Sequence, residues 1–253
     1  MEVMEEETAD GILKGSLLIF QKKKGYRFSL DSILLSHFAY LKSKTFNIDL
    51  GCGSGIIMLI LARRFPETTW TGVEIQEGLA VLAQKNIQAN GLDARIKILC
   101  NDARMIGKIL PANYFDSVIF NPPYRKLKSG RINPQLEKAI ARHEIQGSLK
   151  DFLYAAKYLL KPGGRVFTIY PAKRLAELIS LFRLCAIEPK RLKLVFSDNC
   201  SVAEFVLVEG RAQGSEELNI EQPLYIYDHD KKYTDEMSAI FSELSQLPAR
   251  GGG

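Results

Sequence analysis

The stretch from Phe46 to Gly55, FNIDLGCGSG, has the residue types of a cofactor-binding loop. A short apolar run contains one acid, Asp49, and leads into three glycines at alternate positions, Gly51, Gly53 and Gly55. An apolar segment with helical spacing follows, so the order predicts a strand, a tight loop and a helix. Glycines lack the Cβ atom that blocks close approach to a ligand, and a helix start presents unpaired N–H groups. The stretch therefore predicts a cradle for a nucleotide cofactor.

The spacing of the glycines indicates whether the loop suits a cofactor with phosphate groups or one without them. A dinucleotide site needs G-x-G-x-x-G, with the pyrophosphate on the helix N-terminus. Here the third glycine comes one position early and Asp49 precedes the first by two, which makes a poor phosphate site. The pattern D-x-G-x-G-x-G resembles the loop of S-adenosylmethionine-dependent methyltransferases, and this resemblance implies that Asp49 attracts the cofactor's ammonium and sulfonium. The alternative is an ordinary strand-to-helix turn, but motif, strand and helix agree on the cofactor loop.

A second group of residues, Asn121-Pro122-Pro123-Tyr124, follows directly after the apolar run FDSVIF. Methylation of an exocyclic amine needs oxygen acceptors that hold the two N–H groups in line and stabilise developing positive charge. The Asn121 side-chain carbonyl and the Pro122 main-chain carbonyl are candidates, since two prolines fix the backbone. Tyr124 offers a flat face for an extruded base. The alternative is a proline-fixed strand exit with Tyr124 in the core.

N-P-P-Y resembles the motif of amino-group methyltransferases that act on adenine, guanine or glutamine side chains. Four more segments narrow the resemblance: R-F-S-L-D near the start, A-R-H-E, L-L-K-P-G-G, and P-L-Y-I-Y with Y-T-D-E near the end. Together they resemble the bacterial tRNA adenine N6-methyltransferases, which modify adenine 37, 3′ of the anticodon, in a valine tRNA. The resemblance runs from about Tyr26 to about Glu236. It implies a cytoplasmic enzyme that binds tRNA and S-adenosylmethionine, with Asn121, Pro122 and Tyr124 as catalytic residues.

Further cofactor contacts are expected on either side of the glycine loop. Glu74 ends the β-branched run TWTGVEI about 20 residues after the glycines, where a carboxylate accepts hydrogen bonds from ribose hydroxyls in related folds. By resemblance, Asp102 accepts from the adenine amine, although it could equally form a turn. The segment with Phe28 and Asp31 resembles one that closes over the cofactor. The predicted cofactor-binding residues are therefore Asp49, Gly51, Gly53, Gly55, Glu74, Asp102, Asn121, Phe28 and Asp31.

The segment from Arg125 to Arg142 carries six bases against the single acid Glu137. It lacks apolar periodicity, so we expect a long loop, and loops of such length are usually functional or disordered. A local excess of positive charge suits a polyanion such as RNA, whereas the alternative is a solvated surface. The predicted RNA-binding residues are Arg125, Lys126, Lys128, Arg131, Lys138 and Arg142.

Strands and helices alternate along most of the chain, and two strands joined by a turn follow near the end. This order predicts an α/β fold with a mostly parallel sheet, helices on both faces and a C-terminal antiparallel hairpin. The resemblance adds that the sheet has seven strands. We expect an N-terminal extension and cofactor-covering helix in residues 1–45, the methyltransferase core in 46–210, and a strand and helix tail in 211–253.

The composition excludes several other classes of protein. With 253 residues, 46% hydrophobic and 25% charged, the chain suits one large α/β domain with or without an appendage. No apolar run reaches membrane-spanning length, and the acidic start is unlike a signal peptide. Four cysteines without C-x-x-C spacing and three scattered histidines indicate neither a disulfide framework nor a metal site. We expect a cytoplasmic protein, monomeric and not bound to membranes.

Other functions share part of this evidence. An rRNA guanine-N2 methyltransferase could use the same N-P-P-Y chemistry. Protein glutamine-N5 methyltransferases also carry N-P-P-Y, but with a sizeable helical domain before the cofactor loop, for which the chain before Phe46 is too short. A noncatalytic RNA-binding protein could retain the fold. The presence of Asp49, Glu74 and Asn121 together argues against that last alternative.

Overall fold

The computed structural model describes residues 7–23, 29–122 and 147–247. The strands are β1 (Glu7–Ile12), β2 (Leu17–Lys22), β3 (Phe46–Leu50), β4 (Thr69–Glu74), β5 (Ile96–Cys100), β6 (Phe115–Phe120), β7 (Leu160–Pro171), β8 (Ile187–Phe196), β9 (Ala203–Ala212), β10 (Asn219–Ile220) and β11 (Leu224–Tyr225). The α-helices are α1 (Leu30–Phe38), α2 (Ile56–Arg64), α3 (Glu77–Ala89), α4 (Leu149–Leu159), α5 (Leu175–Leu184) and α6 (Asp235–Ser245). Two short 3-10 helices, Ala103–Lys108 and Ala172–Arg174, follow β5 and β7.

Among the described residues, nine strands form one sheet in the order β10-β8-β9-β7-β6-β3-β4-β5, and β11 also pairs with β8. Strands β3 to β7 are parallel, whereas β9 is antiparallel to both β7 and β8. The predicted mostly parallel sheet with a C-terminal antiparallel hairpin is confirmed. The predicted count of seven strands is two too low, because β10 and β11 add two residues each, parallel to β8. Such short strands show no alternation that a sequence pattern could reveal.

Helices cover both faces of the sheet, and successive strand residues point to opposite faces. In β6, Val118 and Phe120 pack with α4 and α5, whereas Ile119 packs with α1, α2 and α3. In β3, Ile48 and Leu50 pack on the α4 and α5 side. Asp49 lies between them in the strand and therefore faces the layer of α1 to α3. Within the described ranges, no helix combines the length and apolar character needed to cross a lipid bilayer.

The helix ends agree closely with the capping residues in the sequence. Ser148 precedes α4 and accepts a hydrogen bond from the Asp151 N–H, while the Asp151 carboxylate accepts from the Ser148 N–H. Gly91, with φ +66°, follows Asn90, the C-cap residue of α3, at a position where glycine is common. Ser29 precedes α1 and is of a residue type that often caps helices, but its side chain makes no capping bond to the helix backbone. Its hydroxyl instead donates to the Asp31 carboxylate.

The hairpin of β1 and β2 was not predicted, although an apolar run from Ser16 to Phe20 is visible in the sequence. It packs against α3 through side-chain amides. Asn86 accepts from the Phe20 N–H at 2.7 Å and donates to the Phe20 carbonyl at 3.1 Å. Asn90 forms the same pair of bonds with Leu18, at 3.1 and 2.7 Å. The two amides thus take the place of a third strand along β2.

Candidate active site

The three loop glycines all have positive φ, +71° at Gly51, +55° at Gly53 and +84° at Gly55, which disfavours any residue with a Cβ atom. The Gly51 N–H donates to the Val73 carbonyl at 2.7 Å, which ties the loop to the end of β4. A Cβ atom on Gly51 would lie 3.2 Å from the Phe152 ring of α4. The loop is therefore held closely between the sheet and α4.

Glu74 lies at the end of β4 and fixes the middle of the same loop. Its carboxylate accepts from the N–H groups of Gly53 and Gln76, each at 2.9 Å. Burial raises the pKa of Glu74, and these two hydrogen bonds offset only part of that effect. The residue predicted to bind ribose thus also holds the cofactor loop in shape.

Asp49 is fully buried, and neither of its carboxylate oxygens has a hydrogen-bond partner among the described residues. Burial, together with the negative charge of Glu74, raises the pKa of Asp49 to about 8. The pKa of the buried Cys52 thiol is raised by burial and by both carboxylates. A buried, unpaired carboxylate is stabilised by a cation, so the charge of this position suits an ammonium or sulfonium group.

Asn121 follows the last residue of β6 and is half-buried. Its side-chain Nδ2 donates to Asp31 Oδ2 at 2.9 Å. Asp31 lies in the first turn of α1 and is 8% exposed. Pro122, the next residue, is buried. The structure therefore places Asp31 against the amide of Asn121, a contact that the sequence did not predict.

Asp102 forms the turn that begins the first 3-10 helix. Its carboxylate accepts from the Arg104 backbone N–H at 2.9 Å and from Arg104 Nε at 2.8 Å. Burial alone would raise the pKa of Asp102, but the hydrogen bonds and charge of Arg104 outweigh it and lower that pKa. The turn-forming alternative is therefore realised, and a ligand amine at this carboxylate would compete with Arg104.

Parallel pairing brings the predicted residues to one edge of the sheet. Asp49 lies opposite Gly72 of β4 and Ile119 of β6, and Glu74 lies opposite Cys100 at the end of β5. Asp102 and Asn121 then follow the ends of β5 and β6. This carboxyl edge is where open parallel sheets bind ligands. Several predicted residues lie outside the described residues, namely Phe28, Tyr124, Arg125, Lys126, Lys128, Arg131, Lys138 and Arg142.

Sequence reasoning missed three residues that shape the site. Asn86 donates to the Ser54 carbonyl of the cofactor loop at 2.9 Å, in addition to its bonds to β2. Phe152 packs against Gly51, and Arg104 holds Asp102. One signal was visible: Asn86 occupies an apolar position in the helical repeat of α3, where an unpaired amide would be costly. Phe152 and Arg104 have no comparable signal.

The chain is similar to known methyltransferases. The chain matches the methyltransferase small domain family over residues 29–183. A relative from Pedobacter heparinus, named tRNA1(Val) (adenine(37)-N6)-methyltransferase, is 28% identical over 221 residues, covering 86% of this chain and 90% of that protein. A relative of the same name from Porphyromonas gingivalis is 35% identical over 133 residues, 52% of this chain and 51% of that protein.

Solved structures show the same fold. A predicted O-methyltransferase from Agrobacterium tumefaciens has a TM-score of 0.69 and 20% identity, covering 88% of this chain and 100% of that chain. The family match spans more than half of the chain and includes the described site from Asp31 to Asn121. The chain therefore belongs to the methyltransferase small domain family.

Proposed function

We propose that this protein methylates the exocyclic N6 amine of an adenine in tRNA, adenine 37 of a valine tRNA, with S-adenosylmethionine as methyl donor. The observation that carries the proposal is the position of Asn121. It follows β6 directly beside the glycine loop that follows β3, and its amide is held by a 2.9 Å hydrogen bond. The substrate assignment is supported by the names of the relatives and by their similarity along most of the chain.

The residues of the carboxyl edge fit the proposed cofactor. S-adenosylmethionine supplies a methyl group made electrophilic by a positively charged sulfur. Asp49 offers the buried negative charge that its cationic groups require, and Glu74 offers a carboxylate for ribose hydroxyls. The positive-φ glycines leave room for close approach of the cofactor to the backbone. We further propose that the Asp102 carboxylate, which also binds Arg104, accepts a hydrogen bond from the adenine amine of the cofactor. We also propose that Phe28 covers the cofactor.

In the proposed reaction, the target amine donates its two N–H groups to the Asn121 side-chain oxygen and the Pro122 carbonyl. These acceptors hold the nitrogen in line for attack and stabilise the positive charge that develops on it. As the new N–C bond forms, the bond between the methyl carbon and the sulfonium sulfur of the cofactor would break, which would leave a neutral thioether. The nitrogen would then release one proton to water and regain its neutral, conjugated form. Tyr124 supplies the stacking face for the extruded adenine. No strong base is required before the transfer, because the amine attacks in its neutral form.

We also propose that the basic segment Arg125–Arg142 binds tRNA phosphates. Its flanking described residues support this role. Pro122 follows Asn121 on one side, and Gly147 lies on the other, where a Cβ atom would be 3.4 Å from the Phe152 ring. Phe152 in turn packs against Gly51, so both flanks adjoin the candidate site. The predicted RNA-binding residues are Arg125, Lys126, Lys128, Arg131, Lys138 and Arg142.

The proposal is tested by incubating the protein with methyl-labelled cofactor and, separately, bulk tRNA, rRNA and protein. We expect label in tRNA only, recovered as N6-methyladenosine at position 37 of one valine tRNA. Label in rRNA as N2-methylguanine, or in glutamine side chains, would instead establish one of the alternatives. Binding of RNA without any transfer would identify a noncatalytic protein. A tRNA substrate also favours the cytoplasmic location predicted from the sequence, and the monomeric state stays a prediction.

A further inference from the structure

We propose that Asp31 is a positioning residue that sets the orientation of the Asn121 amide for methyl transfer. The inference rests on the proposed role of Asn121 as an acceptor. It starts from a single contact, the 2.9 Å hydrogen bond from Asn121 Nδ2 to Asp31 Oδ2. These residues are 90 positions apart in the sequence, and the fold alone brings them together. The sequence had suggested a different role for Asp31, as part of a wall over the cofactor.

The chemical reason is that a carboxylate selects one face of an amide. A side-chain amide has an oxygen that accepts and a nitrogen that donates, and rotation by about 180° exchanges them. An ionised carboxylate only accepts, so Asp31 favours the rotamer in which Asn121 Nδ2 points toward it. The Asn121 oxygen then lies on the opposite side of the amide. In the reversed rotamer, an N–H group would face the N–H groups of the target amine, and the Asn121 side chain would offer that amine no acceptor.

Asp31 is itself held in place from several directions. It is 8% exposed in the first turn of α1, where the helix dipole favours a negative charge. The Ser29 hydroxyl donates to its other oxygen, Oδ1. At the far end of the helix, Arg64 Nη1 donates to the carbonyls of Ser36 and Ala39 at 2.7 and 3.2 Å. The carboxylate is thus held by the Ser29 hydroxyl and lies on a helix whose C-terminal end is anchored by Arg64.

The pair also explains why residue 121 is Asn rather than Asp in this chain. An acid at position 121 would place two carboxylates at hydrogen-bond distance, where one must bind a proton or move away. Exchanging the two residues restores the hydrogen bond with its polarity reversed. The side chain at position 31 would then donate, and the carboxylate at position 121 would keep an oxygen for the target amine.

The first test is a double-mutant cycle on single-turnover methylation of tRNA at saturating cofactor. Asp31→Ala is expected to lower the rate about tenfold to a hundredfold, as expected for loss of a hydrogen bond to a charged group. The Michaelis constant for tRNA and the cofactor dissociation constant should change less than twofold. In an Asn121→Ala background, Asp31→Ala should have no further effect. Multiplicative effects, or a loss of cofactor affinity at unchanged rate, would overturn the proposal.

The second test is the exchange, which distinguishes orientation from folding. Asn121→Asp should be strongly impaired, and the combination of Asp31→Asn with Asn121→Asp should recover at least about tenfold in rate. Thermal unfolding verifies that each variant is folded, and Asp93→Asn, at an exposed acid after α3, is the matched control with unchanged rate. If the folded double variant methylates no faster than Asn121→Asp alone, the proposal is contradicted. A wild-type protein that methylates no tRNA adenine would instead refute the proposed function, which separates the two failures.

Discussion

Asp49 places a carboxyl group in the protein interior with no hydrogen-bond partner among the described residues. Its pKa of about 8 lies above the ordinary value of 3.8. Between these values the folded protein holds a proton that the unfolded chain has lost, so stability falls as the pH rises. The contribution of this group is fully present below about pH 4 and is lost as the pH rises through about 8. A cationic ligand would reverse this loss by stabilising the ionised form.

Asp49→Asn should therefore stabilise the ligand-free protein increasingly as the pH rises. At pH 5 both side chains are neutral, whereas at pH 9 only the wild type carries the buried charge. The difference in Tm between the variant and the wild type should be larger at pH 9 than at pH 5 by at least about 3 °C. The reason is that about 1 kcal/mol of stability shifts the Tm of a chain of this size by about 2–4 °C. Thermal unfolding of both proteins without cofactor, at pH 5 and at pH 9, measures this difference in Tm. A difference that does not change with pH would contradict the buried-charge account.

The same substitution should have the opposite effect on cofactor binding. Asn cannot supply the negative charge for an ammonium or sulfonium group, so calorimetry at pH 8 should show affinity reduced about tenfold to a hundredfold. As a control, Asp93→Asn, at an exposed acid between α3 and β5, should leave both stability and affinity unchanged. Equal affinity of Asp49→Asn and wild type would remove Asp49 from the cofactor site.

At the residue scale, the sequence predicted the positions but not the partners. Asp49, Glu74 and Asn121 were identified because each stands at a fixed offset from a strand or a motif. The bond from Asn121 to Asp31 and the bond from Arg104 to Asp102 depend on side-chain directions. Such directions follow from packing of distant segments, which no local pattern encodes. This is why the contact of Asp31 with the Asn121 amide could not be predicted from the sequence.

Among the elements, α3 has a double role in stability and in shaping the cofactor loop. Its Asn86 side chain satisfies the backbone of Phe20 and the carbonyl of Ser54 together. The substitution Asn86→Leu keeps the number and branching of the side-chain heavy atoms but leaves these buried groups unpaired. The expected loss in the free energy of unfolding is at least about 3 kcal/mol, because three backbone groups lose their partner at a cost of about 1–3 kcal/mol each. Urea unfolding measures this loss.

Gln88→Leu provides the matched control for this prediction, because Gln88 is exposed on the same helix. It should change the unfolding free energy by less than about 0.5 kcal/mol. Cofactor affinity should also fall in Asn86→Leu and not in Gln88→Leu, since only Asn86 contacts the loop. Equal stability of the two variants would show that the amide bonds contribute little.

Elements with strong local signals were predicted well, and weak ones were missed. Helix α3 ends shortly before Gly91, and α4 begins directly after Ser148. Both residues cap a helix through their own local conformation. The β1 and β2 hairpin escaped prediction because its turn has positive φ at Leu13 and Lys14, residue types that do not indicate such a turn. The two-residue strands β10 and β11 exist only through their pairing with β8.

At the scale of the whole molecule, one sheet edge collects residues from four strand ends. Pro122 and Gly147, the described residues that come before and after the basic segment in the chain, adjoin the candidate site at this edge. The alternation of strands and helices was sufficient to predict this edge, because parallel strands deliver their carboxyl ends to the same side. The number of strands in the sheet and the hydrogen bonds between α3 and β2 could not be predicted, because both depend on contacts between distant segments.

RNA binding should depend on salt and on the basic segment. If these bases contact phosphates, the logarithm of affinity should fall linearly with the logarithm of salt concentration, with a slope of about 0.9 or less per phosphate. Changing Arg125, Lys126 and Lys128 to Ser should weaken tRNA binding and flatten this slope, with cofactor affinity unchanged. Filter binding over a salt series measures both effects.

Lys42→Ser with Lys44→Ser serves as the control for charge alone, since both lysines are exposed before β3 at the opposite edge of the sheet. These changes should leave the salt slope intact. Equal loss of affinity in both sets of variants would indicate a general charge effect, and no loss in either would assign the basic segment to a solvated surface.

The central claim is that Asn121 accepts a hydrogen bond from an adenine amine during methyl transfer. The most direct measurement is single-turnover transfer of labelled methyl groups into the anticodon stem-loop of the valine tRNA, with N6-methyladenosine quantified for wild type and Asn121→Ala. We predict N6-methyladenosine at position 37 with the wild type. The rate of Asn121→Ala should be about a hundredfold to a thousandfold lower at unchanged cofactor affinity. A rate for Asn121→Ala near that of wild type, or label in a nucleotide other than adenine, would contradict the account.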